Sequence, residues 1–137
     1  MDDVAGKLFD HLASRLTPEY AVTERGVDGR GPFMRVGSAV EFRLAPPYGV
    51  NSDVVSYEVT AGVGDHWYGR FESVTVGAPT EADWVAAAAE ELEGTVAALI
   101  EEFDESPDDD VPNAADPRSL AMIDRVRQEY AKPLFAQ

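Results

Sequence analysis

Phe33-Met34-Arg35-Val36-Gly37-Ser38-Ala39-Val40-Glu41-Phe42-Arg43-Leu44, FMRVGSAVEFRL, is the stretch on which the fold turns. Met34, Val36, Val40, Phe42 and Leu44 alternate with Arg35, Glu41 and Arg43. A period of two with apolar and charged residues in opposite phases is that of a strand with one buried and one wet face. Taken as one strand over 33–44, it predicts an antiparallel sheet covered on one side.

On the amino-terminal side, Gly26-Val27-Asp28-Gly29-Arg30-Gly31-Pro32 has the composition of a connector, and Tyr20 to Glu24 before it that of a short strand. On the other side, the loop Pro46 to Asp53 leads to a strand over Val54 to Val63, with Val55, Tyr57, Val59 and Val63 on one face. A fourth strand covers Phe71 to Val76, and Gly64-Asp65-His66-Trp67-Tyr68-Gly69-Arg70-Phe71 joins the two as a hairpin tip.

Helices flank these strands. Val4, Leu8, Leu12 and Leu16 recur every fourth residue, with Asp2 and Asp3 as caps and Thr17-Pro18 as the stop. Thr80-Glu81-Ala82-Asp83 resembles a capping box and opens a helix to about Asp104. Its apolar side carries Val85, Ala88, Ala89, Leu92, Val96, Leu99, Ile100 and Phe103; Asp83, Glu90, Glu93, Glu101 and Asp104 lie opposite, and Trp84 falls on the flank. Asp116-Pro117 starts a last helix with a stripe of Leu120, Ile123, Val126 and Tyr130. The order α-β-β-β-β-α-α predicts an α+β fold, a four-stranded, mostly antiparallel sheet with helices packed on one face. Residues 1–104 form the single domain and 105–115 an acidic mobile linker. Residues 116–137 form a C-terminal helix and tail, which Arg118, Arg125 and Arg127 would dock onto the long acidic helix.

The net charge of -15 over 137 residues is concentrated in one region. Residues 1–70 hold ten acids and seven bases, residues 71–117 fourteen acids and no base, and residues 118–137 two acids and four bases. Such a field repels nucleic acid and anionic lipid and steers basic proteins inward. The preference for arginine over lysine, with abundant Ala, Val, Gly and Asp, also fits a high-GC or halophilic source, in which case acidity serves solvation. Cysteine is absent, which excludes disulfides, thiolate zinc sites and cysteine nucleophiles. The acidic start MDDVAGKLFD and the lack of a long apolar run predict a cytoplasmic protein without membrane attachment.

Catalytic constellations are sparse. Asp10-His11 and Asp65-His66 are the two carboxylate–imidazole neighbours, and His66 is the one candidate for a general base. Adjacent residues of a strand or turn point apart, so neither pair is aligned as a dyad. Neither Gly29-Arg30-Gly31 nor Gly62-Val63-Gly64 opens a helix, so neither cradles phosphate. A calcium loop starting at Asp104 would need Gly at 109 and Glu at 115, where the chain has Asp and Ala. No cofactor and no metal are expected.

Recognition remains. Trp67, Tyr68 and Arg70 suit an interface anchor, with Trp84, Glu90, Glu93, Glu101, Glu102 and Asp104 as the further partner-binding set. In size and acidity the chain is similar to the immunity proteins that neutralise bacterial nuclease toxins and to secretion chaperones, a likeness of composition that transfers no residues. The leading expectation is a non-enzymatic module binding a basic protein, such as the nucleic-acid-binding face of a toxin or nuclease. The alternatives are a chaperone or assembly adaptor holding an extended segment, as a homodimer, and a small enzyme using His66.

Overall fold

Gly37 breaks the stretch that reads as one strand. Its φ of 61° lies in the left-handed region, where a side chain is strained, and a Cβ there would sit 2.5 Å from Glu129 Oε1 and 2.6 Å from the Tyr130 hydroxyl. The backbone reverses over Gly37-Ser38-Ala39, and Val36 pairs directly with Val40. Two strands result where one was expected. The sheet therefore has five strands.

The computed structural model describes residues 3–49, 53–63, 66–105, 124–126, 128–130 and 133–136, excluding the side chains at 3, 63, 66–68 and 100–105. Its elements are α1 (Asp3–Arg15), β1 (Val22–Asp28), β2 (Gly31–Val36), β3 (Val40–Ala45), β4 (Val54–Val63), β5 (His66–Thr75) and α2 (Glu81–Glu105). The five strands form one antiparallel meander in the order β1-β2-β3-β4-β5. The sheet thus has two edges, β1 and β5. Among the described residues no helix is long and apolar enough to cross a membrane.

Two further segments that read as connectors are strand. Val27 pairs with Pro32 and Asp28 with Gly31, which leaves Gly29-Arg30 as a two-residue turn. Asp28 Oδ1 accepts the Arg30 N–H at 2.8 Å and closes that turn from within. Likewise Val63 pairs with His66, so only residues 64 and 65 separate β4 from β5, and His66 to Arg70 belong to the ladder. Cross-strand pairing overrides the loop-like composition in both places.

One face of the sheet supplies the core. Met34, Val36, Val40, Phe42, Leu44, Val55, Tyr57, Val59 and Ala61 are buried there with Ala5, Leu8, Phe9 and Leu12 of α1 and Val85, Ala88, Ala89, Leu92, Val96 and Leu99 of α2. Helix α2 lies against β4, β5 and α1. The Tyr57 hydroxyl ties β4 to α2 at Thr95 Oγ1, 2.7 Å away, and burial raises its pKa. At the start of α2 the Asp83 N–H donates to Thr80 Oγ1 at 3.1 Å, as in a capping box, while the Thr80 hydroxyl donates to the Asp83 carboxylate at 2.8 Å.

Trp84, which helical spacing puts on the flank of α2, is completely buried. Because α1 packs alongside α2, the buried arc is wider than a sheet alone would require. That removes Trp84 from the exposed surface.

The described part of the C-terminal segment packs into the core and against the end of α1. Val126, Tyr130, Leu134 and Phe135 are buried in the core, Phe135 beside Phe42 with ring centroids 6.0 Å apart and Tyr130 stacked on Tyr20 at 5.2 Å. The Tyr130 hydroxyl donates to the Val36 carbonyl at 2.6 Å, and Glu129 accepts the Ser38 N–H at 2.7 Å. Past it, Thr17 N–H donates to Leu134 O at 3.0 Å and Ala136 N–H to Arg15 O at 2.7 Å. The chain end is thus held by the β2–β3 turn and the end of α1. Arg125 is exposed, and Arg118, Arg127, the start of that helix at Asp116-Pro117 and the segment 106–115 lie outside the described residues.

Candidate functional site

The histidines do not assemble a catalytic group within the described residues. Asp10, next to His11, accepts a hydrogen bond from Arg25 at 2.7 Å, so its carboxylate is committed to β1. Asp65 and the side chain of His66 lie outside the described residues. Among the described residues no three His, Asp or Glu side chains come together in a way that could hold a metal ion.

Charge organises the surface. On the sheet face turned away from the helices, Arg35 binds Glu24 at 2.6 Å and Glu41 at 2.9 Å, while Arg43 binds Asp28 at 2.6 and 3.0 Å and the Gly31 carbonyl at 3.0 Å. The Phe33 ring carries both guanidinium groups, Arg35 at 5.5 Å and Arg43 at 5.1 Å from its centroid. Glu41 and Arg43 are 9% and 6% exposed, although strand alternation assigns them to the wet face. Cross-strand neighbours cover them, and these become neighbours only once the β2–β3 turn exists. Arg30 adds a pair with Glu58 at 3.0 Å.

Ion pairs also tie the helices to each other and to the sheet. Lys7 binds Glu81 at 2.9 Å, Arg15 binds Glu93 at 2.6 Å and Arg25 binds Asp10. Each of the six basic residues between 3 and 43 is therefore engaged by a carboxylate of the chain itself. Glu93, expected on the free acidic face, is spent in this way. Glu90 and Glu91 are exposed on a helix that carries no basic residue. The side chains of Glu101, Glu102 and Asp104 lie outside the described residues, as do those of Trp67 and Tyr68. Arg70 is half-buried in β5 opposite Val59.

The bond from Arg43, with the Arg30 N–H second, holds the Asp28 carboxyl below its ordinary value of 3.8. A carboxylate with a depressed folded-state pKa stabilises the fold above its unfolded value and loses that contribution as the pH falls through the folded value. In Arg43→Met the Asp28 midpoint should therefore rise toward 3.8 yet stay below it, because the Arg30 N–H remains. Carboxyl-carbon NMR titration reads this directly; an unmoved midpoint would show that Arg43 is not the cause. Among the described residues the Arg43 Nε has no partner, which marks this cluster as incompletely satisfied.

Comparison with protein-family models, with curated proteins and with solved structures finds no match to the chain.

Proposed function

We propose that this chain is a non-enzymatic binding module whose acidic α2 surface engages a basic protein, by preference the nucleic-acid-binding face of a nuclease or toxin. The observation that carries this reading is the disposition of charge. The bases of the amino-terminal part are consumed by internal ion pairs, and α2 continues with exposed Glu90 and Glu91 and no basic residue. Repulsion among these carboxylates is relieved when cations of a partner replace water and salt around them, which speeds encounter and selects against acidic competitors.

Glu90→Lys/Glu91→Lys is the suitable test, since both residues are exposed, whereas Glu81 and Glu93 hold α1. With a basic partner captured from the source lysate, the variant should bind about tenfold or more weakly at low salt, with a shallower salt dependence. Its unfolding free energy should stay within about 0.5 kcal/mol of the parent. Equal affinity and equal salt dependence in the two proteins would end this reading.

A further inference from the structure

Among the described residues, strand β5 is an edge with neither a proline nor a bulge to blunt it. It runs ten residues with no proline and no irregularity against β4, and among the described residues no backbone pairs with its far side. The opposite edge, β1, is broken by a register shift between Val22 and Glu24. Long regular edges invite another strand, and proteins commonly blunt them. Phe71, in the middle of β5, is 62% exposed, one of two large apolar side chains exposed among the described residues.

The direction of the unpaired groups follows from two hydrogen bonds. Val76 N–H donates to Asp53 O and Gly62 N–H to Ala39 O, both at 2.9 Å. In an antiparallel ladder the N–H and C=O of one residue point to the same side, and the side alternates along the strand. Val76 faces β4, so Val74, Glu72 and Arg70 do too, while Thr75, Ser73, Phe71, Gly69 and Trp67 turn their backbone groups to the free edge. From the other end, Gly62 faces β3, so Ala61, Val59, Tyr57 and Val55 face β5, where their partners are Tyr68, Arg70, Glu72 and Val74. Both ends of the ladder thus have the same phase.

We propose that β5 pairs antiparallel with β5 of a second copy about a two-fold axis at Phe71, joining two five-stranded sheets into one. Outward residues must oppose outward residues, which admits only registers related by a residue-centred axis. An axis at Arg70 sets two arginines opposite each other, and an axis at Glu72 sets two glutamates opposite each other. The axis at Phe71 sets Arg70 opposite Glu72 twice, Gly69 opposite Ser73 twice, and Phe71 opposite its symmetry mate. Opposite charges facing across a ladder stabilise it and like charges destabilise it, so the sequence Arg70-Phe71-Glu72 is complementary to itself in this register. Five outward residues per copy then exchange about ten hydrogen bonds. Gly69 belongs to the same design: a Cβ there would lie 2.7 Å from Thr60 Cγ2, so its glycine keeps this part of the edge regular. This association is separate from the acidic surface of α2.

Sedimentation equilibrium of the full chain should give a dimer at concentrations up to about 100 µM. Arg70→Glu and Glu72→Arg should each raise the dissociation constant about tenfold or more, and the double exchange Arg70→Glu/Glu72→Arg should restore it. An equimolar mixture of the two single variants should associate more tightly than either alone. Ser73→Pro removes an outward N–H and leaves the backbone bonds to β4 in place, giving up only the bond between the Ser73 and Ser56 hydroxyls; it should weaken the dimer about a hundredfold while far-UV circular dichroism shows the monomer folded. A monomeric parent protein would overturn the proposal, including one that takes up an extended segment of another protein along β5. So would an open-ended oligomer, a dimer indifferent to Ser73→Pro, or a double exchange no tighter than the single ones.

Discussion

Removal of residues 124–137 is expected to abolish cooperative folding at 25 °C. Val126, Tyr130, Leu134 and Phe135 are each less than a tenth exposed, and each buried side chain of this size contributes about 1.5–3 kcal/mol. Their combined loss, about 6–12 kcal/mol, is comparable to the whole stability of a domain of this length. The deletion also uncovers Phe42, frees the Val36 carbonyl and Ser38 N–H, and opens the end of α1 at Thr17 and Arg15. Guanidinium unfolding followed by circular dichroism should show no baseline-bounded transition for the 1–123 chain. A sharp transition with a slope near that of the full protein would show that the docked segment is an accessory to an independent core.

Trp84→Ala is expected to destabilise the fold by about 3–5 kcal/mol, the range for emptying a buried tryptophan site. Trp84 is the largest of the fully buried side chains, on the first turns of a helix that packs against both the sheet and α1. Among the described residues its indole N–H has no hydrogen-bond partner. Trp84→Phe therefore deletes an orphaned donor along with part of the ring area, and the two effects oppose each other. It should cost less than about 1.5 kcal/mol, well short of the alanine variant. Equal costs for Phe and Ala would show that the N–H is satisfied, by water for example, and that its bond matters more than the packing.

The hairpin at Gly37 explains how a sequence can give the right buried face and the wrong number of strands. Because Val36 opposes Val40, and opposed residues share a face of the sheet, the alternation of Met34, Val36, Val40, Phe42 and Leu44 passes through the turn without a change of phase. Periodicity cannot distinguish that arrangement from a continuous strand. The signal that could have done so is Gly-Ser in the middle of the run. The loop-like residues Gly26 to Asp28 and His66 to Arg70 misled in the opposite direction, since their strand conformation comes from partners up to ten or more residues away in the sequence.

The candidate surfaces divide in the same way. The absence of basic residues from α2, the two helices flanking the strands, and the antiparallel character of the sheet are local or compositional, and the sequence determined them by itself. Which acids remain available was decided only by tertiary structure. Arg15 reaches Glu93 and Lys7 reaches Glu81 across more than seventy residues, and Arg43 and Glu41 are buried by cross-strand neighbours. The seat of the C-terminal segment, the burial of Trp84 and the free edge of β5 are likewise tertiary facts. Periodicity and composition report the preference of a residue for apolar or aqueous surroundings. Pairing between distant segments determines which groups actually supply them.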